Sequence, residues 1–213
     1  MYIVDDLLYF PPVNKADEFG LLAIGGELTP ERLLLAYKNG IFPWFEEGQP
    51  VLWYSPDPRM VLLFDQIKIS KSMKQVLRKN EFRVSVNTCF EEVIKNCAYQ
   101  KRKNQSGTWI TKNMIEAYTE LHNLGYAFSI EVWLEKKLVG GLYGVNLQKE
   151  RVFCGESMFS RVANASKVAF IYLHNYFKVK NYKLIDCQMY NDHLSSLGAI
   201  EIPRTDFISI LNS

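Results

Sequence analysis

The chain has 213 residues, enough to bury one large core or two modest ones. Hydrophobic residues make up 48% and charged residues 23%, the balance of a globular protein in water, and aromatic residues reach 14%, an excess that suits planar or apolar ligands. The net charge of +2 excludes a chain that attracts nucleic acid as a whole, so any such binding must come from local clusters.

The N-terminal residues, Met1 to Asp6, lack the basic start and apolar stretch of a signal peptide, and no apolar run is long enough to span a bilayer. Cys89, Cys97, Cys154 and Cys187 form no Cys-x-x-Cys pair and read as reduced thiols, so a cytoplasmic chain with no membrane attachment is expected.

The first segment is rich in turns. Thr29 is a good N-cap and Pro30 fits the first helical position, which predicts a helix from there to about Asn39, stopped by Gly40. Phe42-Pro43-Trp44-Phe45 and Trp53-Tyr54-Ser55-Pro56-Asp57-Pro58-Arg59 read as aromatic loops stiffened by proline. Met60 to Phe64 reads as a strand, and a domain boundary is placed at its end, giving an N-terminal unit of residues 1–65 and a second of 66–213. The spacing then predicts a helix over Ser70 to Lys79 with Met73, Val76 and Leu77 inward, a strand Phe82 to Val86 and a helix Phe90 to Cys97. Lys101-Arg102-Lys103 lies in an exposed basic loop. Thr111 opens an amphipathic helix through Met114, Ile115, Tyr118 and Leu121, ended by Gly125.

From Ala127 the period becomes two. Three successive strands follow, the last over Arg151 to Phe159, and form an antiparallel meander. A long helix from Asn164 to about Val179, a strand Lys183 to Gln188, a short helix capped by Asp192 and a closing segment from Arg204 to Leu211 complete the pattern. The fold class is therefore α+β: a small N-terminal α/β domain, then an acetyltransferase-like domain whose mixed, largely antiparallel sheet is flanked by helices.

Two strand ends carry the chemistry-bearing residues. Side chains alternate along a strand, so Glu156, Met158 and Ser160 are expected on one face, and Asp186 and Gln188 on one face. Two carboxylates and an amide then converge beside an apolar Met.

The sequence resembles the leucyl/phenylalanyl-tRNA–protein transferase family over nearly its whole length. The stretches that carry the resemblance are Gly20 to Gly26, Gly40 to Phe45, Ser55 to Arg59, Gly107 to Ile110, Leu138 to Gly144, Gly155 to Ser160, Ser166-Lys167, Asp186-Cys187-Gln188 and His193 to Ala199. The resemblance implies transfer of Leu or Phe from Leu-tRNA or Phe-tRNA to the α-amino group of a protein that begins with Arg or Lys. Such a tag marks the product for degradation by the N-end rule pathway, through a Clp-type protease. Tyr37 and Trp44 would then hold the 3′ adenosine, with Trp109 and Tyr118 lining the same region, because a single-stranded RNA end stacks on aromatic faces.

An aminoacyl ester is already activated, so no cofactor or metal is expected, and His122, His174 and His193 show no ligand spacing. The attacking amine must be neutral, and a carboxylate of ordinary acidity (about 4) is a weak base for an ammonium of about 8. The expected division is that Gln188 bonds the amine, Asp186 orients Gln188 and stabilises the developing charge, and Glu156 fixes the amino-acid or acceptor end. Met158 and Ile185 are candidates for the wall of the side-chain pocket. Lys71, Lys74 and Arg78, on one helix face, are the preferred phosphate track, with Lys101, Arg102 and Lys103 the second choice. The chain is expected to act as a monomer.

Three other readings compete. An acyl-CoA-dependent N-acetyltransferase would share the fold, but the turn Arg161 to Lys167 lacks the glycines that let backbone approach pyrophosphate. A cysteine hydrolase built on Cys187 and His193 needs a lowered thiol pKa that nothing local supplies. A non-catalytic tRNA-binding module is the third. Relative to the family pattern, Phe128 stands where His is common, and Tyr54 where Trp is frequent.

Overall fold

The structure, a computed structural model, describes residues 2–5, 7–100 and 109–213. Lys101, Arg102 and Lys103, and the Gly107-Thr108 part of the fourth matching stretch, lie outside the described residues.

The N-terminal segment forms a four-stranded sheet of β1 (Tyr2–Val4), β2 (Leu21–Gly25), β3 (Phe42–Pro43) and β4 (Leu52–Tyr54), in the order β1-β2-β4-β3. The aromatic segments expected as loops thus contribute strands. Pro43 is tolerated because β3 is an edge, where its missing N–H breaks no ladder. Between β2 and β3 runs α1 (Pro30–Lys38), with Thr29 Oγ1 accepting from Arg32 N at 3.2 Å and Gly40 leaving the helix at φ 73°. That left-handed step turns the chain from the helix straight into β3.

The larger sheet has seven strands: β5 (Arg59–Leu63), β6 (Phe82–Val86), β7 (Ala127–Leu134), β8 (Lys137–Leu147), β9 (Val152–Ser160), β10 (Leu184–Gln188) and β11 (Ile200–Ile202). Their order is β11-β5-β10-β9-β8-β7-β6, and only β9 and β10 run parallel. β5, which precedes the expected division at residue 65, pairs with β10 and β11, so sheet membership changes between Tyr54 and Arg59.

Helices α2 (Lys71–Lys79), α3 (Phe90–Ala98), α4 (Lys112–Asn123), α5 (Ala165–Lys178), α6 (Asp192–Ser196) and α7 (Arg204–Asn212) flank this sheet. One core joins α1, α3, α4 and α7 and continues into the N-terminal sheet through Leu22, Phe42 and Trp53. The other lies under α5, through Val168, Phe170 and Phe177, and reaches Met73 of α2. Phe128 belongs to this second core, with its ring 5.2 Å from that of Phe177. An apolar ring suits that place.

Two local expectations are corrected. Leu77 is exposed, because the end of α2 overhangs a groove against β6 and α5 and Leu77 lines that groove without filling it. α6 is capped by Asn191, whose Oδ1 accepts from His193 N and Leu194 N at 2.9 and 3.2 Å, while Asp192 accepts from the Tyr190 hydroxyl.

Two irregularities lie side by side in the sheet. Tyr143 and Gly144 of β8 pair with Ser157 and Gly155, leaving Glu156 as an extra residue in β9. Val61 and Met60 of β5 pair with Asp186 and Gln188, leaving Cys187 as an extra residue in β10. Such bulges re-aim side chains and end pairing. β9 and β10 hold register only as far as Cys154 and Asp186, and beyond that point the strands part.

Gly144 is needed for this geometry, since a Cβ there would be driven into the carbonyl oxygen of Cys154 and the ring of Phe153. Gly144→Ala should destabilise by at least the about 1–3 kcal/mol typical of overpacking. The expected readout is a lower urea midpoint with an unchanged m-value.

Candidate active site

A cavity of about 580 Å³ opens where β9 and β10 separate. Its walls come from Phe42 and Pro43 of β3 and the following Trp44, from Trp109, from Glu156 to Met158 of β9, and from Ile185 to Gln188 of β10. Leu142, Phe170 and Leu173 make its apolar side, and Tyr190 and His193 lie towards α6. A larger cavity of about 700 Å³ lies between α2, β6 and α5, but the charged residues on its rim, Glu81, Arg83 and Glu135, are all exposed. Convergent buried polar groups occur only in the smaller cavity of the two, and that one is the candidate site.

Glu156 is the hub. Its Oε1 accepts from Tyr37 OH at 2.6 Å and from Gln188 Nε2 at 2.7 Å, and its Oε2 accepts from Tyr118 OH at 3.0 Å. The two tyrosine hydroxyls also lie in hydrogen-bond contact with each other, and since each has one proton, one of them shares it between Glu156 and the other hydroxyl. Burial pushes the Glu156 carboxyl up to about 7, against the pull of the bonds from Tyr37, Tyr118 and Gln188, and the nearby Asp186 adds to the rise.

Asp186 is fully buried and faces Arg59, itself 1% exposed. Arg59 Nε donates to Asp186 Oδ1 and Nη2 to Oδ2, both at 2.8 Å, a bidentate pair. Asp186 Oδ1 also accepts the backbone N–H of Gln188 at 3.0 Å. Gln188 lies in the left-handed region at φ 66°, so this bond holds an uncommon conformation.

Several expectations change. Glu156, Met158 and Ser160 do not share a face: the bulge at Glu156 reverses the alternation, so Glu156 meets the tyrosines of α1 and α4 while Met158 packs in the α5 core. Tyr37 and Tyr118 are 1% and 0% exposed and offer no ring face to a base; their hydroxyls hold Glu156 instead. Trp44, 38% exposed, and Trp109 do line the cavity, as do Met158 and Ile185. Asp186 has both oxygens engaged by a cation, which removes the charge it was expected to offer an ammonium. Its hold on Gln188 runs through the backbone, and the side-chain amide is held by Glu156. Lys71, Lys74 and Arg78 are all exposed along one face of α2. In the sequence Arg59 stands only as the last residue of the Ser55 to Arg59 stretch. The signal available was an arginine opening a strand that is otherwise apolar.

The cysteine-hydrolase alternative fails on electrostatics. Burial pushes the Cys187 thiol far up and Asp186 adds to it, whereas a nucleophile needs the reverse. For the acetyltransferase alternative, Ser166 N, at the start of α5, already bonds Ser160 Oγ at 3.3 Å.

The family model described as leucyl/phenylalanyl-tRNA protein transferase matches residues 61–212, and the model of its N-terminal domain matches residues 26–57. The chain belongs to the leucyl/phenylalanyl-tRNA–protein transferase family. Relatives bearing that name include one from Flavobacterium johnsoniae, 62% identical over 213 residues and all of both chains, and one from Flavobacterium psychrophilum, 57% identical over 99% of each. Another, from Escherichia coli O1:K1 / APEC, is 54% identical over 91% of this chain and 80% of its own. Among solved structures, L-PGS from Bacillus licheniformis overlaps at a TM-score of 0.45 and 14% identity, covering 80% of this chain and 54% of that one, a likeness too loose to bear on chemistry. This chain is therefore a transferase. Among its described residues, no helix is long and apolar enough to cross a membrane.

The raised Glu156 gives a stability signature for this transferase. Its folded value lies above the ordinary 4.5, so its contribution is full below about 4.5 and lost as pH rises through about 7. The melting temperature of the parent should fall across that window relative to Glu156→Gln, as read by thermal melts at several pH values. Parallel curves would show that Glu156 does not titrate there.

Proposed function

We propose that this transferase moves Leu or Phe from Leu-tRNA or Phe-tRNA to the α-amino group of proteins or peptides beginning with Arg or Lys, acting in the cytoplasm and marking them for degradation by the N-end rule pathway. The observation that carries the reading is the half-buried Glu156–Gln188 pair in a cavity with an aromatic mouth and an apolar side. Trp44 and Trp109 offer stacking faces to a splayed 3′ adenosine. Leu142, Met158, Phe170 and Ile185 suit an unbranched or γ-branched apolar side chain, and the flexible Met accommodates both Leu and Phe.

In the reaction the amine nitrogen bonds to the ester carbonyl carbon. The carbon–oxygen ester bond then breaks, and the proton lost by nitrogen ends on the departing ribose oxygen. Positioning alone supplies roughly 7–11 kcal/mol to such a step. Gln188 has its Nε2 on Glu156, which leaves its Oε1 to accept from the incoming amine. Glu156, pushed up to about 7, is matched far better than an ordinary carboxylate to an α-amino group, and it stabilises the positive charge that develops on nitrogen. Asp186 keeps an orienting role, through the backbone of Gln188. Lys71, Lys74 and Arg78 track the tRNA phosphates.

The deciding assay uses labelled Leu-tRNA with an Arg-initiated peptide. Label should appear on the peptide, and it should vanish when the peptide's α-amino group is acetylated. Retention of label on tRNA, with binding intact, would support a tRNA-binding module. Replacing Lys71, Lys74 and Arg78 together should reduce the log–log salt slope of tRNA binding by about 2 to 3. An unchanged slope would place the phosphate track elsewhere.

A further inference from the structure

We infer that Arg59, which no substrate reaches, is a positioning residue for the transfer step: its guanidinium fixes the Asp186–Gln188 turn and the Phe42 wall of the cavity in one geometry. The inference rests on the reading that Gln188 receives the amine.

Every face of the guanidinium is engaged. Two nitrogens grip the two oxygens of Asp186 at 2.8 Å, and Nη1 donates to the carbonyl of Gly40 at 3.1 Å. The planar group lies over the ring of Phe42 at 4.8 Å and that of Phe207 at 4.7 Å. Phe42 lines the cavity two residues before Trp44, and Gly40 ends the helix that carries Tyr37. Arg59 therefore touches the segment that delivers the stacking wall and, through Asp186, the turn that aims the Gln188 amide at Glu156.

Stability alone is a poor reason for this arrangement, since a buried ion pair is often matched or bettered by apolar residues of similar volume. The pair lies where it has a geometric task. β10 has left the β9 ladder, Cys187 bulges, and Gln188 holds a positive φ with Asp186 as its anchor. Only a planar fork satisfies a bidentate carboxylate, a third acceptor and two ring faces together. A lysine would keep the charge and lose the plane.

The test uses the full chain and initial rates of transfer from Leu-tRNA to an Arg-initiated peptide, with melting curves to confirm folding. Arg59→Lys should fold, keep the KM for Leu-tRNA within about threefold and lose roughly 10- to 100-fold in kcat, the cost of a small misplacement. Because Arg59 acts through Asp186, Arg59→Lys should have little further effect in an Asp186→Asn background. A parent-like kcat in Arg59→Lys, a loss confined to KM for Leu-tRNA, or effects that simply multiply would each overturn the inference. If Asp186→Asn fails to fold, the kcat of Arg59→Lys decides alone. Gln188→Ala separates the two layers. Parent-speed transfer there sinks the role given to Gln188, whereas slow transfer there with parent-speed Arg59→Lys sinks only the inference on Arg59.

Discussion

The buried pair of Arg59 and Asp186 ties together segments that would otherwise meet only by packing. Arg59 opens β5, Asp186 precedes the bulge in β10, Gly40 ends α1, and Phe207 belongs to α7. Removing one partner of such a pair leaves an uncompensated charge, which costs about 3–5 kcal/mol. The pair is consequently a strict constraint on how these four segments assemble. The Gln188 turn inherits its geometry from that assembly, because the oxygen that faces Arg59 also holds the Gln188 N–H.

Glu156 is governed by a different balance. It has no cation within its hydrogen-bond set and is held by two phenols and an amide. Burial without a countercharge raises its value to about 7, whereas the fork of Arg59 keeps a full counter-charge on Asp186. Two carboxyls on neighbouring strands thus acquire separate tasks through their surroundings, one oriented and charge-paired, the other poised near neutrality.

Both tasks depend on the sheet breaking its own regularity. A bulge in β9 turns Glu156 towards α1 and α4, and a bulge in β10 lets Gln188 reach across to it. Where the two strands part, the ladder stops satisfying backbone groups and a cavity opens between them. The close fit of Gly144 against the Cys154 carbonyl accommodates the first of these distortions.

Much of this was legible in the chain itself. The helix from Thr29 to Gly40 follows from cap, proline and glycine chemistry, and the meander from the period of two after Ala127, because these are local signals. The many matching stretches point to the family, and Glu156, Asp186 and Gln188 stand out as a group at two strand ends. What the chain could not reveal was which atoms meet. A bulge is invisible to a strict alternation rule, which puts Glu156 and Met158 on one face. Tyr37 and Tyr118, 81 residues apart, bond to each other and to Glu156 only because α1 packs beside α4. Arg59 and Asp186 are 127 residues apart, and nothing in either neighbourhood announces the other. Composition and local pattern determine elements and family. The pairing of buried charges is decided by the tertiary fold, since desolvation and hydrogen-bond geometry act only once distant segments share one interior.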